Sequence, residues 1–466
     1  CFDLSKQGNT YTMVLMVTST AIGGTLQYGY NLAIMNGPTV FIQNFVNETY
    51  MERWGIQLGV YEVTLIWTFM VSIFSLGSFI GALIAGPMSV RFGRKKTMLL
   101  NNVFLFSSSL LALLSRTAKS FEMIIISRFL VGINAGISMN VPMYFGESAP
   151  KHLRGAVSLS STVFTSFGLV LGQVVCLRYL LGSEPYWQYL FASNAIPGLI
   201  QFLTFPWFPE NPRYLLIDWR QRGLPNGEEL DEILQEQNET KGERAKQPWE
   251  LFTDCSVCWQ LITVAVLSSA MQLCGNDSVR PCLIQNIFRM TWLHMNLKSV
   301  CVQNLLIERL GRRLMLTGIY VLMAGWAVVF TVALSLEVCF IHMTCIFTYI
   351  LSFGMGLAGV TGILPTEIFN QTTRPAVYMA AGSLIWLNLF IIEMIFSFLY
   401  CFLPFGAVCL LTASYIQKVL PETKGKTLSM ITKEFYRLSY CGQVKMDPEG
   451  KQAQYQLGEI FHSTAL

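Results

Sequence analysis

The chain has 466 residues, 53% of them hydrophobic and only 13% charged, with a mean hydropathy of +0.46. That is too little polar surface for a soluble globule of this size, so the chain belongs in a bilayer. The formal charge of +4 is modest and the basic residues gather in short turns, a topology signal that excludes nucleic acid as a partner.

The chain begins at Cys1 rather than at methionine, so its natural start is expected upstream. Residues 7–47 carry no charge, and a first crossing is expected over about 11–36. The sequon Asn47-Glu-Thr49 is expected in the loop beyond it, outside the cell and glycosylated at Asn47. Asn238-Glu-Thr240 and Asn370-Gln-Thr372 fall on the inner side and are expected to stay unmodified.

Uncharged runs at 63–90, 97–115, 129–146, 156–177 and 185–209 approach or exceed the roughly 20 residues needed to cross hydrocarbon, making six crossings with the first. The basic turns at 91–96 and 151–154 and the segment after Glu210 alternate with poorly charged connections. The positive-inside rule puts all three, and both termini, in the cytosol. Residues 210–250 hold ten acidic and six basic side chains and read as a cytosolic helical linker, either a solvated spacer or a binding module.

Further uncharged runs at 255–276, 314–336, 338–366, 376–392 and 394–417 give five more crossings. Where an eighth crossing belongs, segment 289–307 carries Arg289, His294, Asn296, Lys298, Gln303 and Asn304 and matches a spanning helix poorly. Just before it, Asp277 and Arg280 are spaced to pair on one helix face. The expected organisation is an all-α membrane protein with an N-terminal six-helix bundle over 1–209, the linker over 210–250, a shortened C-terminal bundle over 251–427 and a cytosolic tail over 428–466. Most cysteines lie inside apolar runs, and no second pair or histidine cluster accompanies Cys255-Ser-Val-Cys258, so no disulfide framework, metal site or cofactor is expected.

The two halves share a feature. Gly86-Pro-Met-Ser-Val-Arg-Phe-Gly-Arg-Lys-Lys96 is a basic hinge between apolar runs, and Glu308-Arg-Leu-Gly-Arg-Arg313 repeats it. A charged turn duplicated among membrane-length helices is the mark of a two-fold carrier rather than an enzyme. The repeat is unequal. Arg94 and Glu147 are 53 positions apart and Arg312 and Glu367 are 55, but Gln27 and Arg94 are 67 apart and Gln272 and Arg312 only 40. Without an eighth crossing the second corner would emerge on the opposite side from the first.

Ordered motifs carry a resemblance: Gln27-Tyr-Gly-Tyr-Asn31, Phe92-Gly-Arg-Lys95, Ser127-Arg-Phe-Leu-Val-Gly132, Gly146-Glu-Ser-Ala-Pro-Lys-His-Leu-Arg-Gly155, Pro209-Glu-Asn-Pro-Arg-Tyr214, Leu310-Gly-Arg-Arg313, Thr366-Glu-Ile-Phe369 with Arg374-Pro375, and Pro421-Glu-Thr-Lys-Gly-Lys-Thr427. Together they resemble the signature set of facilitative sugar transporters of the major facilitator superfamily, and Ser269-Ala-Met-Gln-Leu-Cys-Gly-Asn-Asp-Ser278 is similar to the class II, fructose-handling branch. The resemblance implies two six-helix bundles, a hexose substrate such as fructose or glucose, and a plasma-membrane carrier working by alternating access.

A hexose is neutral and ringed with hydroxyls, so its site needs amides that both donate and accept, together with an aromatic face for the sugar's C–H surface. By the resemblance Gln173, Gln272 and Trp386 match sugar-contacting positions, with Asn31 and Asn276 beside them; the alternative for any one is interhelical bonding or packing. Proton-coupled relatives carry a carboxylate where this chain has Asn31, and an amide does not titrate, which implies uncoupled transport. Arg94, Glu147, Arg154, Glu210, Arg312, Glu367 and Arg374 match a cytosolic ion-pair network that holds the halves together when the site faces outward. Gly356-Leu-Ala-Gly-Val-Thr-Gly362 and Ile385 depart from the family pattern, so sugar preference does not follow. A transport-impaired product or a sugar sensor stays open as the alternative.

Overall fold

The computed structural model describes residues 10–35, 37–138, 154–177, 179–208, 258–275, 311–335, 339–369, 373–396, 403–423, 426 and 428–439. Among them every regular element is helical. The linker at 210–250, Asp277, Arg280, segment 289–307 and the end of the tail lie outside the described residues.

The first crossing is one rod in three parts: α1 (Thr10–Ala21), a π-turn (Ile22–Leu26) and α2 (Gln27–Ile34). It is followed by α3 (Thr39–Trp54), α4 (Val60–Phe92), α5 (Arg94–Leu114), α6 (Glu122–Ile137) and α7 (Arg154–Val175). The first half closes with α8 (Trp187–Ala192), α9 (Ala195–Thr204) and a 3₁₀ turn (Phe205–Trp207). The second half holds α10 (Cys258–Leu273), α11 (Arg312–Ser335), α12 (Cys339–Ser352), a π-turn (Phe353–Leu357), α13 (Ala358–Ile368), α14 (Arg374–Phe396), α15 (Leu403–Val419) and α16 (Leu428–Ser439). Among the described residues four helices are long and apolar enough to cross a membrane, over Val60–Ser89, Lys95–Leu114, Arg312–Ala333 and Ala376–Ile395.

Inside a bilayer a helix must satisfy its own polar groups. Serines and threonines do so by donating back one turn, as Ser72 does to Thr68 O at 2.9 Å, Ser89 to Ala85 O at 2.7 Å and Ser383 to Met379 O at 2.7 Å. Helix association, with little hydrophobic drive in lipid, then relies on close backbone approach. Gly77 and Gly81 of α4 lie against Phe129 O and Ile133 O of α6, while Gly132 and Gly136 of α6 lie against Phe74 O and Ser78 O of α4; a methyl group at any of the four would overlap that carbonyl. The α2–α7 crossing repeats the device, with Gly29 against Thr165 O and Gly168 against Leu26 O.

Four sequence expectations need correction. Asn47 lies on a helix, not in a loop: no glycine or proline interrupts Thr39–Trp54, Ile42 and Val46 bury one face, and Gly55 closes the helix at φ +67°. The run at 185–209 is not one rod, because Pro197 has no N–H for the carbonyl of Ser193 and the carbonyl of Asn194 accepts Gln27 Nε2 at 2.9 Å. The other two corrections concern charges read as the edges of crossings. Helix α6 begins at Glu122 and runs through Arg128, and α14 runs through Glu393 to Phe396.

Helices α4 and α14 are antiparallel: Gly86 meets the Met379 thioether, and Ser75 Oγ donates to Glu393 Oε2 at 2.6 Å. The C-terminal end of α4 therefore lies beside the start of α14, and Glu367 at the end of α13 reaches Arg312. Gly93 and Gly311, both at φ +85°, thus form two matching corners at one end of the molecule. Each corner needs glycine, since that region of backbone space is closed to most side chains.

Candidate functional site

Trp386 is where the two halves meet. It comes from α14 yet packs among Phe74, Ala82, Val131 and Ala135 of α4 and α6. Tyr28 and Phe74 stand edge-on to its ring, at centroid separations of 5.5 and 6.0 Å. The indole is 3% exposed, and its Nε1–H is buried without an acceptor. A buried donor in this state costs roughly 1–3 kcal/mol.

The polar residues predicted around it are placed unevenly. Asn31 is turned into the first half: its Nδ2 donates to Gln27 O at 3.0 Å and its Oδ1 accepts Asn194 Nδ2 at 2.7 Å. That network, with Tyr30 OH against Ser193 Oγ at 2.5 Å, fixes the first crossing to the α8–α9 break. Gln173 is half-buried on α7 and Gln272 is buried on α10. Leu169 of α7 and Ala33 of α2 join the extended buried cluster that also holds Leu267 and Ala270 of α10, and Gln173 lies one turn beyond Leu169 on the same face. Asn388 Nδ2, two residues past Trp386, donates to Ser269 Oγ of α10 at 3.1 Å and ties α10 to α14. Asn276 lies outside the described residues.

The charged residues predicted at the basic end are only partly visible. Glu147 and Glu210 lie outside the described residues, and of Arg94, Arg154 and Arg374 only the backbone is described. Arg312 and Glu367 do pair, with Nη2 and Nε donating to Oε1 at 2.7 and 3.0 Å. Two neighbours complete this corner, and neither is predicted from the sequence. Glu422 accepts the backbone N–H groups of Arg312 and Arg313 at 2.9 and 3.2 Å, a carboxylate seated on the N-terminus of α11. Thr423 Oγ1 donates to Glu367 Oε2 at 2.6 Å. Both lie in the Pro421-Glu-Thr motif, whose signal is present in the sequence without its partner.

Comparison with known proteins bears on this arrangement. The model of the family described as "Sugar (and other) transporter" matches residues 16–435. This chain belongs to the sugar transporter family. Among relatives, human solute carrier family 2, facilitated glucose transporter member 11, is 45% identical over 92% of this chain and 94% of its own length. Member 7 of Mus musculus is 37% identical over 91% and 90%, and human member 5 is 36% identical over 96% and 97%. Two solved structures share the fold of this sugar transporter family member. The xylose transporter XylE from E. coli in an inward-open conformation gives a TM-score of 0.74 at 22% identity, covering 91% of this chain and 99% of that one. The proton:xylose symporter XylE bound to 6-bromo-6-deoxy-D-glucose gives 0.73 at 21%, covering 92% and 99%. The chain is therefore an all-α, multi-pass membrane protein with the major facilitator fold.

Proposed function

We propose that this sugar transporter carries hexoses, fructose or glucose, down their gradient by alternating access, with Gln173 on the first half and Gln272 and Trp386 on the second closing around one sugar. The observation that supports this most is the unsatisfied indole N–H of Trp386, buried at the seam between halves, where a sugar hydroxyl would supply the missing acceptor. The relatives' description as facilitated glucose transporters and the glucose derivative held by one structural neighbour point to the same substrate class. Uncoupled transport is supported by Asn31, an amide engaged at both ends by Gln27 and Asn194 with no titrating group of its own.

In this reading the chain divides at 1–209, 210–250, 251–427 and 428–466, sits in the plasma membrane and holds both termini in the cytosol. The corner of Arg312 and Glu367 is then cytosolic and, with Arg94, Glu147, Arg154, Glu210 and Arg374, locks the halves when the site faces out. Fully exposed pairs are worth about 0–1 kcal/mol each, whereas Arg312 and Glu367 are part-buried and doubly hydrogen-bonded, so sugar binding has more than a surface pair to offset at this corner.

Purified protein in liposomes, supplied with labelled fructose or glucose, is expected to take up sugar at the same rate with and without a pH gradient. The double variant Gln173→Ala, Gln272→Ala is expected to lose at least nine-tenths of that uptake, about 1.4 kcal/mol or more. Unchanged uptake in the double variant removes these glutamines from the site. The short interval between Gln272 and Arg312 supports a second reading, a transport-impaired product. Sugar binding without uptake in the same liposomes would select it.

Asn47 remains the proposed glycan acceptor on the outer face. Thr49 of its sequon is buried and donates to Phe45 O at 2.7 Å, so the glycan must be attached before α3 folds. Glycosidase treatment is expected to sharpen and shift the band of protein made in cells, and Asn47→Gln to abolish that shift. A persisting shift would place the glycan, and the side of the membrane, elsewhere.

A further inference from the structure

Arg128 and Glu393 are, among the described residues, the two charged side chains set within crossing helices rather than at or near their basic end or in the first turn. Arg128 lies six positions into α6, about 9 Å from its start, and Glu393 three positions from the end of α14. A guanidinium inside hydrocarbon is costly unless it is paired. Arg128 is 3% exposed, and its Nε and Nη1 are buried with no hydrogen-bond partner. Its charge sits over the Phe74 ring, 4.7 Å from the centroid, and within Coulombic reach of the Glu393 carboxylate. That carboxylate accepts a hydrogen bond from Ser75, the residue after Phe74, at 2.6 Å.

The elements around the pair agree on its sense. Arg128 and Ser75 belong to first-half helices, α6 and α4, and Glu393 to a second-half helix, α14. The contact lies toward the end opposite the Gly93 and Gly311 corners, since α4 and α14 run antiparallel from Gly86 and Met379 at the basic end to Ser75 and Glu393 here. Phe74, beneath the guanidinium, is the same ring that stands edge-on to Trp386. Charge, ring and indole are thus in series across the seam.

We infer that Glu393 is a positioning residue of the transport cycle: as the counter-charge of Arg128 and the acceptor of Ser75, it clasps α14 to α4 and α6 at the end opposite the glycine corners. This rests on the alternating-access reading, in which that end is the outer mouth. Opening outward separates the carboxylate from the guanidinium, so the clasp favours the outward-closed state and holds Phe74 against Trp386. Neutralising Glu393 removes the attraction but leaves an oxygen for Ser75 to bond.

The test uses the full chain in lipid nanodiscs and in liposomes. In nanodiscs, thermal unfolding of E393Q, R128Q and the double variant forms a cycle in which coupled charges make the second substitution nearly without effect once the first is present. Should R128Q alone fail to fold, its recovery in the double variant reports the same coupling, and a cycle of S75A with E393A, which removes the acceptor, reads the hydrogen bond without touching Arg128. Additive shifts in these cycles overturn the inference. In liposomes, E393Q is expected to lower the half-saturating sugar concentration for entry relative to exit by roughly tenfold, and E393D to restore it, whereas a purely structural role would leave the ratio alone. A transporting parent chain with an unchanged ratio in E393Q also overturns it. A parent chain without uptake overturns the transport reading instead, and the nanodisc cycles still decide the clasp.

Discussion

Trp386→Phe is expected to reduce sugar uptake roughly tenfold, about 1.4 kcal/mol, while leaving the amount of folded protein in the membrane near that of the parent. Phenylalanine keeps an aromatic edge for Tyr28 and Phe74 but removes the one indole donor, so the variant separates hydrogen bonding from packing. Trp386→Ala is expected to fall to background uptake for both reasons at once. Emptying a buried tryptophan site costs about 3–5 kcal/mol, and this one lies between halves that must part and rejoin. Measuring uptake against surface protein for both variants checks the assignment. If Trp386→Phe transports as the parent does, the indole N–H has no sugar partner.

The second large effect is structural. Gly132→Leu is expected to abolish folded protein, because the new side chain would enter the carbonyl of Phe74 and the Cα of Gly77 on α4. Neither is the end of a flexible side chain, so the helices would have to separate. Gly132→Ala is expected to be milder but still damaging, a loss of at least 1–3 kcal/mol from overpacking. Monodispersity and thermal unfolding in detergent report both. Gly318→Ala on α11, where an added methyl group meets nothing, is the matched control and is expected to behave as the parent.

Much of this fold is legible in the sequence because a crossing leaves a coarse trace, about 20 apolar residues between polar turns. The duplicated corners are legible for a related reason: Phe92-Gly-Arg and Leu310-Gly-Arg need a glycine at positive φ and a basic helix start, and both needs are local. Gly77, Gly81, Gly132 and Gly136 are visible as four-residue repeats, but which pair meets which is a property of the assembled bundle. Arg128 and Glu393 mislead for the opposite reason. Each looks locally like the edge of an apolar run, and only neighbours on a helix far away in sequence, Phe74 under the guanidinium and Ser75 on the carboxylate, make an interior place for it.

The candidate site is legible in kind rather than in role. Amides and a tryptophan inside membrane runs suggest a pocket for a neutral polyol, and the fold adds that Trp386 is buried against α4 and α6. Asn31 groups with them by residue type, whereas its two hydrogen bonds make it part of the scaffold joining the first crossing to the α8–α9 break. Nothing short of the fold distinguishes an amide that faces a cavity from one that braces a wall.

The π-turn at Ile22–Leu26 sets the bearing of every later residue in the first rod. A π-turn accommodates one residue more than an α-helix would, which rotates everything downstream by about 100° about the axis. Tyr28 and Asn31 owe their directions to that extra residue: one looks toward Trp386, the other toward Asn194. Deleting a single position between 22 and 26 would leave a regular, equally apolar helix with both side chains on their present bearings, whereas straightening the π-turn with its residue kept would swing both away from their partners. In this transporter the azimuth of the first crossing thus depends on one loop of backbone staying wide, and a neighbour that straightened it would reset both side chains at once.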